Sequence, residues 1–422
     1  MNGSSPQLSG RRAGVLLHVG SLPARTIGAD ARRFVDLLAK CGFSVWQVLP
    51  LGPVDPTGSP YQLSSAFAGE CQWLDRDDLR DESWWPSEDP MPDDARSLVD
   101  EAWAHFRRHA SSADWEEFAG FRRSNSAWLL PYAMYVTLKR LHEGRPWWEW
   151  PAEYHTRQRG AISALLDEHG LSINATAFGQ YVFARQWQAL RDYAQERAVS
   201  LFGDLPFYVD RDSADAWWRR EVFRLGPDGD ADFVSGVPPD YFNTDGQRWR
   251  NPLYDWEYLQ RKGFNWWLSR LRSQAQRFDL LRIDHFRALE SCWAIPVDSP
   301  TARDGHWETV PGDELLTEAL RLNPDCALVA EDLGTITDEV RALRDRFGLP
   351  GMLVLQFAFD GSPDNPYLPA NHVENAVVYT GTHDNDTTAG WYASLDDQAR
   401  THVDAVIGQP QAPVAAAGAM VK

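Results

Sequence analysis

Short apolar runs that alternate with helical patterns are the feature of this chain that most restricts its fold. Residues 13–19, AGVLLHV, predict a buried strand, and residues 30–40 place Phe34, Leu37 and Leu38 on one face of a helix. A second apolar run follows at residues 43–51, which makes a βαβ unit and hence a parallel strand pair. Five more runs predict strands: residues 200–209, 278–285, 326–333, 352–357 and 376–384. Strands of this kind, separated by helices, predict an α/β fold with a parallel sheet covered on both faces.

The number of strands, together with the length of 422 residues, predicts a (β/α)8 TIM-type barrel with helical insertions between its early strands. Seven barrel strands are found, whereas a closed barrel needs eight, and none is found after Tyr392. We predict four segments along the chain. They are the start of the barrel (1–71), an inserted and mainly helical subdomain (72–198), the rest of the barrel with a long loop at 229–256 (199–395), and a helical pattern followed by an Ala/Pro/Gly-rich tail (396–422).

Charge and hydropathy exclude several classes of partner. Sixty acidic against 41 basic residues give a formal charge of -19, so the chain would repel a nucleic acid backbone. No apolar stretch approaches the roughly 18 residues that cross a bilayer, and the polar start of the chain does not resemble a signal peptide. We therefore expect a cytoplasmic protein with neither a membrane nor a nucleic acid as partner. The four cysteines are scattered singly, which favours reduced structural thiols.

Tryptophan is unusually frequent, with 20 residues in the chain. Its large flat face suits the stacking of sugar rings, and the same face also suits a hydrophobic core. Both interpretations stay open at this point.

Common cofactor and metal motifs are absent from the sequence. There is no P-loop, no dinucleotide-binding glycine motif, no serine-hydrolase elbow and no zincin motif. Asp228, Asp230 and Asp232 resemble the start of a calcium loop, but Phe233 and Pro239 occupy the positions that need Gly and Glu. We interpret this segment as a solvated acidic turn and predict neither a metal nor a cofactor.

Three carboxylates lie at the carboxyl ends of predicted parallel strands: Asp284 in FDLLRIDHFR, Glu331 in ALVAEDLG and Asp384 in VVYTGTHDND. The carboxyl ends of barrel strands form the rim where catalysis takes place. Each carboxylate alone also fits a helix cap or an ion pair, but the three together favour a catalytic site. Arg282 precedes Asp284 by two residues, so the strand period places both on one face, where Arg282 can keep the carboxylate ionised or form a structural ion pair.

At this point the sequence resembles the amylomaltase, or 4-alpha-glucanotransferase, family of disproportionating enzymes, relatives of the alpha-amylase clan. The similarity runs from about residue 13 to residue 391. Its motifs occur in order along the chain as GVLLHVGSLP, WQVLPLGP, GSPYQLSSAFAGE, FGDLPFYV, GVPPDYFNTDGQRWRNPLYDW, RIDHFRALESCWAIP, AEDLG, LPGMLVLQFAF and YTGTHDNDTTAGW.

The resemblance implies a retaining transfer of an α-1,4-glucan segment to the 4-hydroxyl of another glucan or of glucose, with maltooligosaccharides as substrates and without metal or cofactor. It implies that Asp284 is the nucleophile, Glu331 the general acid/base and Asp384 the third carboxylate. In a retaining mechanism Glu331 must start protonated. We expect the negative charges of Asp284 and Asp384 to raise its pKa.

The resemblance also implies substrate-binding residues. Tyr61, Asp204 and His383 match positions that line the donor sugar site, while Tyr241 and Phe242 lie on the loop over the acceptor side. For His285 we expect packing rather than catalysis. His18 follows a strand as well, and we assign it no role.

Two features depart from the family pattern. Arg250 stands where the family has Gly, so the loop around it is expected to differ in shape. The eighth strand and the closing segment rich in Trp and Arg are not found after Tyr392, so we expect a truncated barrel. Two alternatives therefore remain beside transfer: a hydrolytic alpha-glucanase, and a catalytically impaired fragment that binds glucan.

Overall fold

The computed structural model of the protein describes residues 10–55, 57–86, 89–240, 243–408 and 412–421. Within these ranges the strands are β1 (Gly14–Leu16), β2 (Val45–Gln47), β3 (Ser200–Leu205), β4 (Phe233–Val237), β5 (Gln247–Pro252), β6 (Leu280–Ile283), β7 (Ser291–Pro296), β8 (His306–Thr309), β9 (Ala327–Ala330), β10 (Gly351–Val354) and β11 (Ala376–Tyr379). The helices are α1 (Ala29–Lys40), α2 (Arg76–Asp81), α3 (Ala95–His109), α4 (Ser112–Ser124), α5 (Leu129–Leu141), α6 (Ala152–His155), α7 (Arg159–Glu196), α8 (Ala214–Trp218), α9 (Trp256–Arg261), α10 (Asn265–Arg277), α11 (Gly312–Leu322), α12 (Asp338–Arg346), α13 (Thr388–Ser394), α14 (Asp397–Ile407) and α15 (Pro413–Val421).

All seven predicted apolar runs contain a strand. Five of them form one sheet in the order β1-β2-β3-β6-β9, and β10 pairs with β11. The β1–β2, β2–β3 and β10–β11 pairs are parallel, as the helices between the strands predict. The α/β class with a parallel sheet is therefore confirmed. Among the described residues after β11 the structure contains helices and no strand, and the incomplete barrel stays a prediction.

A second sheet was missed by the sequence analysis. It is antiparallel, with the order β5-β4-β7-β8, and it occupies part of the segment predicted as a long irregular loop at 229–256. That prediction is wrong for β4 and β5, and only residues 238–246 connect the two strands. The sequence did not predict this sheet because β4 pairs with β7, which lies far along the chain. A pairing between such distant segments leaves no local sequence signal.

The region between β2 and β3 is helical in its described residues, as predicted, with α2 to α7 following one another. The longest of these, α7, has a break at His169, where φ is -117° and ψ is 16°. Aromatic side chains form much of the packing: Trp103, Phe106 and Phe178 lie with ring centroids 4.7–5.9 Å apart. Trp46, Trp147, Trp187, Trp217 and Trp267 are among the largest fully buried side chains, so for these five the core interpretation is correct.

The described chain divides into two compact units. The first comprises Arg282–Arg287 and residues 328–421, and the second comprises residues 10–281 and Ala288–Ala327. The boundary thus passes through β6 and β9. The four predicted segments are not tested by this division and stay predictions.

The end of the chain differs from the expected Ala/Pro/Gly-rich tail. Residues 413–421 form α15, and its Ala416 and Met420 are buried in a cluster with Phe359, Tyr392 and Val403. The alanines give this segment a high helix propensity, and its apolar side chains pack against other residues of the first unit.

No helix in the described ranges is long and apolar enough to cross a membrane. Cys41, Cys71, Cys292 and Cys326 form no disulfide in the structure.

Candidate active site

Asp284 directly follows β6 and is paired with Arg282 from the same strand. Arg282 Nη2 lies 2.9 Å from Asp284 Oδ1, and the two side chains are 4% and 26% exposed. The predicted placement on one face of the strand is therefore confirmed. A guanidinium that is almost fully buried and in contact with a carboxylate stabilises the ionised form of that carboxylate.

Glu331 directly follows β9, the strand beside β6. The Ala327 N–H donates to the Asp279 carbonyl and the Glu331 N–H to the Ile283 carbonyl, both at 3.1 Å. From the first of these bonds to the second, the donor and the acceptor both advance by four residues along the chain, which is the pattern of a parallel strand pair. Because carboxyl ends of parallel strands lie at the same edge of a sheet, Asp284 and Glu331 follow neighbouring strands at one edge.

Backbone amides hold the Glu331 side chain. The His285 N–H donates to Oε2 at 2.7 Å, and the Leu333 N–H donates to Oε1 at 3.0 Å. The Phe286 N–H donates to the Glu331 carbonyl at 3.1 Å, which ties the turn after β6 to the turn after β9. These amides could not be predicted from the sequence, because backbone donors carry no residue-type signal.

The pKa of Glu331 is raised, chiefly because burial removes water from the carboxylate. Arg282 and the two amide hydrogen bonds oppose this by lowering the pKa, while the negative charge of Asp332 raises it further. The raised pKa agrees with the expectation in its direction, and its largest cause is desolvation, which the expectation did not include.

His285 connects the two turns through its backbone. Its φ is +51°, in the left-handed region that histidine adopts more readily than most residues. Burial lowers the pKa of its side chain to about 3, so the imidazole is neutral near pH 7. A neutral, partly buried imidazole agrees with the predicted packing role.

Asp384 and His383 lie in the turn between β11 and α13. β11 ends at Tyr379, so Asp384 comes five residues after the strand rather than at its last residue. His383 Nε2 lies 3.3 Å from Asp384 Oδ1, and the Asp384 side chain is 67% exposed. The Asp384 N–H lies 3.3 Å from Thr382 Oγ1, to which it donates. This carboxylate is thus held by a turn and open to solvent.

Tyr61 and Asp204 are brought together in the second unit. The Tyr61 hydroxyl donates to Asp204 Oδ2 at 2.7 Å. Asp204 lies in β3 and is 3% exposed, so its carboxylate needs such donors. Both residues were predicted from the resemblance, whereas the hydrogen bond between them is seen only in the structure. His18, to which no role was assigned, lies edge-on to Trp73 with ring centroids 4.8 Å apart.

Only some of the residues predicted for the acceptor side are among those that the structure describes. Tyr241 and Phe242 lie outside the described residues. Arg250 has a φ of +68°, a conformation that favours glycine, and it lies on β5 beside a register shift against β4. The backbone at this position therefore does take the shape for which glycine is suited, with an exposed arginine in its place.

Asp228 and Asp230 of the acidic turn, which also contains Asp232, contact basic side chains of the protein itself. His155 Nε2 lies 3.5 Å from Asp228 Oδ1, and Arg211 Nη2 lies 3.3 Å from Asp230 Oδ1. Both carboxylates are largely exposed, which agrees with a solvated turn.

The site combines a carboxylate that is paired with an arginine and a carboxyl group of raised pKa. The two groups follow adjacent strands of a parallel sheet, and together they define an α/β enzyme site suited to acid/base chemistry. The comparisons with known proteins name the family. The family model described as 4-alpha-glucanotransferase matches residues 17–421, farther along the chain than the motifs reach. The chain belongs to the 4-alpha-glucanotransferase family.

Individual relatives and a solved structure agree with this assignment. A 4-alpha-glucanotransferase of Thermus thermophilus is 44% identical over 403 residues, which cover 90% of this chain and 80% of that protein. A 4-alpha-glucanotransferase of Synechocystis sp. is 44% identical over 416 residues, which cover 93% of this chain and 82% of that protein. The amylomaltase of Streptococcus agalactiae in complex with acarbose superposes with a TM-score of 0.90 at 30% identity, covering 97% of this chain and 87% of that one.

Proposed function

We propose that the protein transfers a segment of an α-1,4-glucan to the 4-hydroxyl of an acceptor glucan or of glucose, with retention of configuration. One observation carries the proposal: the Arg282–Asp284 pair and the amide-bound Glu331, whose pKa is raised, follow adjacent parallel strands. The fold that we propose for the chain is the (β/α)8-type barrel, which the strand order β1-β2-β3-β6-β9 supports.

In the first half of the proposed reaction Asp284 attacks the anomeric carbon of the donor. Glu331 donates its proton to the glycosidic oxygen, so the departing fragment leaves as a neutral alcohol. Arg282 keeps Asp284 ionised and oriented for the attack. Desolvation keeps a proton on Glu331 until it is needed.

In the second half an acceptor replaces the departed fragment. Glu331, now a carboxylate, takes the proton from the acceptor 4-hydroxyl while that oxygen displaces Asp284 from the anomeric carbon. The two inversions restore the α configuration. These steps use side chains alone, so we propose that no metal or cofactor takes part.

We propose that the other named residues bind sugar. Asp384 and His383 present an exposed carboxylate and an imidazole that can bond hydroxyls of the distorted donor ring. Tyr61 and Asp204 contribute a phenol ring and a buried carboxylate to the donor site. Tyr241 and Phe242 contact the acceptor glucan. The cytoplasm stays our prediction for the protein's location.

The test is incubation of the purified protein with maltotriose, with products separated by size and reducing ends counted. Transfer produces longer and shorter oligomers while the number of reducing ends stays constant. Asp284→Asn should abolish the products, because an amide is a far weaker nucleophile than a carboxylate. Asp338→Asn is the matched control, since that side chain is 96% exposed.

A rise in reducing ends equal to the number of bonds cleaved would instead identify a hydrolase. Absence of any product from a protein that melts cooperatively would refute the activity of this chain.

A further inference from the structure

A pocket lies between α9, the start of α10 and residues 219–222 in the second unit. Its volume is about 270 Å³, and the residues that line it include Tyr258, Lys262, Asn265 and Trp266. This volume is slightly below the range of about 300–1,000 Å³ that is typical of small-molecule sites. The pocket therefore has room for one sugar-sized molecule rather than for a chain.

The backbone around the pocket fixes its shape. The Phe264 N–H donates to the Leu259 carbonyl at 2.8 Å, and the Asp255 N–H donates to the Val222 carbonyl at 2.9 Å. Phe264 lies between α9 and α10 with a φ of +54° and is 3% exposed, so burial holds this bulky residue in a conformation that it rarely adopts. The pocket is thus preformed, and a ligand loses little free energy by ordering it.

Aromatic rings form part of the pocket wall. Trp266 is 7% exposed, and its ring packs edge-on against Phe67 and Phe223, with centroids 5.9 Å and 5.7 Å away. Tyr258 is half-buried, and Lys262 Nζ lies 5.9 Å from its ring centroid. Tyrosine and tryptophan rings provide flat apolar surfaces for the C–H groups of a sugar, and the tyrosine hydroxyl adds a polar group.

The polar groups of the pocket favour an uncharged ligand. Arg219 Nε lies 3.0 Å from Glu221 Oε1, so this carboxylate offsets the charge of the guanidinium. Lys262 and Asn265 are exposed and add hydrogen-bond donors, and the Asn265 amide also accepts. An anion requires concentrated positive charge, whereas sugar hydroxyls require donors and acceptors beside an apolar surface. This set of groups matches a glucose unit better than a phosphate.

We propose that this pocket is a further glucan-binding site, which holds a terminal glucose unit of a long α-glucan. The inference takes its ligand class from the proposed function. Among the described residues, none to which we assign a part in the reaction lines the pocket. Loss of the pocket therefore weakens the attachment of the enzyme to a long glucan, which two sites can hold together, without slowing transfer between short oligosaccharides.

The experiment measures the retardation of the purified protein in native gels that contain increasing amounts of glycogen. Tyr258→Ala removes the accessible ring and should raise the dissociation constant for glycogen about tenfold. Its kcat/KM for transfer from maltotriose should stay within about twofold of wild type, because the reacting groups are unchanged. The variant is compared with wild type, since under the proposed function the catalytic site also binds glucan.

Tyr193→Ala is the matched control. Tyr193 is half-buried on α7, and the guanidinium of Arg197, four residues later, lies over its ring, as Lys262 lies over Tyr258. This change should leave the retardation by glycogen as it is in wild type. Inorganic phosphate at constant ionic strength should not release the protein from glycogen. Release by phosphate would overturn the inference in favour of an anion site.

Melting temperatures show whether each variant folds. Should Tyr258→Ala fail to fold, Asn265→Ala takes its place, because Asn265 is exposed, and it should weaken glycogen binding about threefold. Wild-type retardation in the folded variant, an equal loss in Tyr193→Ala, or a wild-type protein that glycogen does not retard would overturn the inference. A wild-type protein that is retarded as expected but does not transfer from maltotriose would instead overturn the proposed function.

Discussion

Asp210 provides the sharpest test of the electrostatics of this structure. It follows β3, and burial together with the charges of Asp212 and Asp55 raises its pKa from the ordinary 3.8 to about 6, while Lys139 opposes the rise. The Asp212 N–H donates to Asp210 Oδ1 at 2.6 Å, and the Lys139 ammonium is held by Asp212 Oδ2 at 2.7 Å. Lys139 is therefore paired with the neighbouring carboxylate rather than with Asp210.

The sign of the effect on stability follows from proton binding. Below pH 3.8 this carboxyl is protonated in both the folded and the unfolded chain and does not change the free energy of unfolding. Between pH 3.8 and about 6 the unfolded chain has lost the proton that the folded chain retains, so the free energy of unfolding falls as the pH rises. Above pH 6 both states have lost the proton, and the free energy of unfolding stays reduced by the full amount. At 1.36 kcal/mol for each pKa unit, this cost is about 3 kcal/mol.

Asp210→Asn removes the ionisation and keeps an oxygen that accepts from Asp212. With an unfolding entropy of about 2.1 cal/mol/K per residue, 422 residues translate 3 kcal/mol into about 3 °C. We expect the variant to melt about 3 °C above wild type at pH 7 and near the wild-type temperature at pH 4. Scanning calorimetry across this range measures the difference, with Asp298→Asn, at an exposed position, as the control. An equal difference at both pH values would refute the reasoning.

Three further predictions follow from the geometry. Arg282→Gln removes a charge that lowers the pKa of Glu331, so the alkaline limb of the kcat/KM profile for transfer should move to higher pH; an unmoved limb would contradict the assignment of Glu331 as acid. Ala198→Gly and Arg250→Gly should each raise the unfolding free energy by about 0.5–1 kcal/mol, because both residues have a positive φ, which glycine adopts without a steric penalty. Urea melts measure the change, and a loss of stability in these variants would rule the prediction out. Trp217→Ala should cost about 3–5 kcal/mol in the same melts, since Trp217 is fully buried and its Nε1 donates to the Tyr154 carbonyl; a cost below 1 kcal/mol would argue against this packing.

The seven parallel strands could be predicted because each is a local signal: a run of apolar residues bounded by helical patterns. The contact between Arg282 and Asp284 was predictable for the same reason, since residues two apart on a strand share a face. The position of Glu331 after the neighbouring strand followed from the order of strands along the chain.

The antiparallel sheet lay beyond this reasoning. Its central pair joins β4 to β7, and the segment around β5 is rich in residues that are also typical of loops. The helix at 413–421 was missed because its alanine content was interpreted as low complexity rather than as helix propensity.

Residue types and their order along the chain thus determined the fold class, the family and the identity of the candidate catalytic groups, because these depend on local pattern and on chemistry carried by side chains. The tertiary structure decided the environment of those groups. The pKa of Glu331 depends on the exclusion of water by burial and on the amides of His285 and Leu333. Desolvation and close approach are properties of the folded chain, since they arise only when residues far apart in sequence occupy neighbouring space.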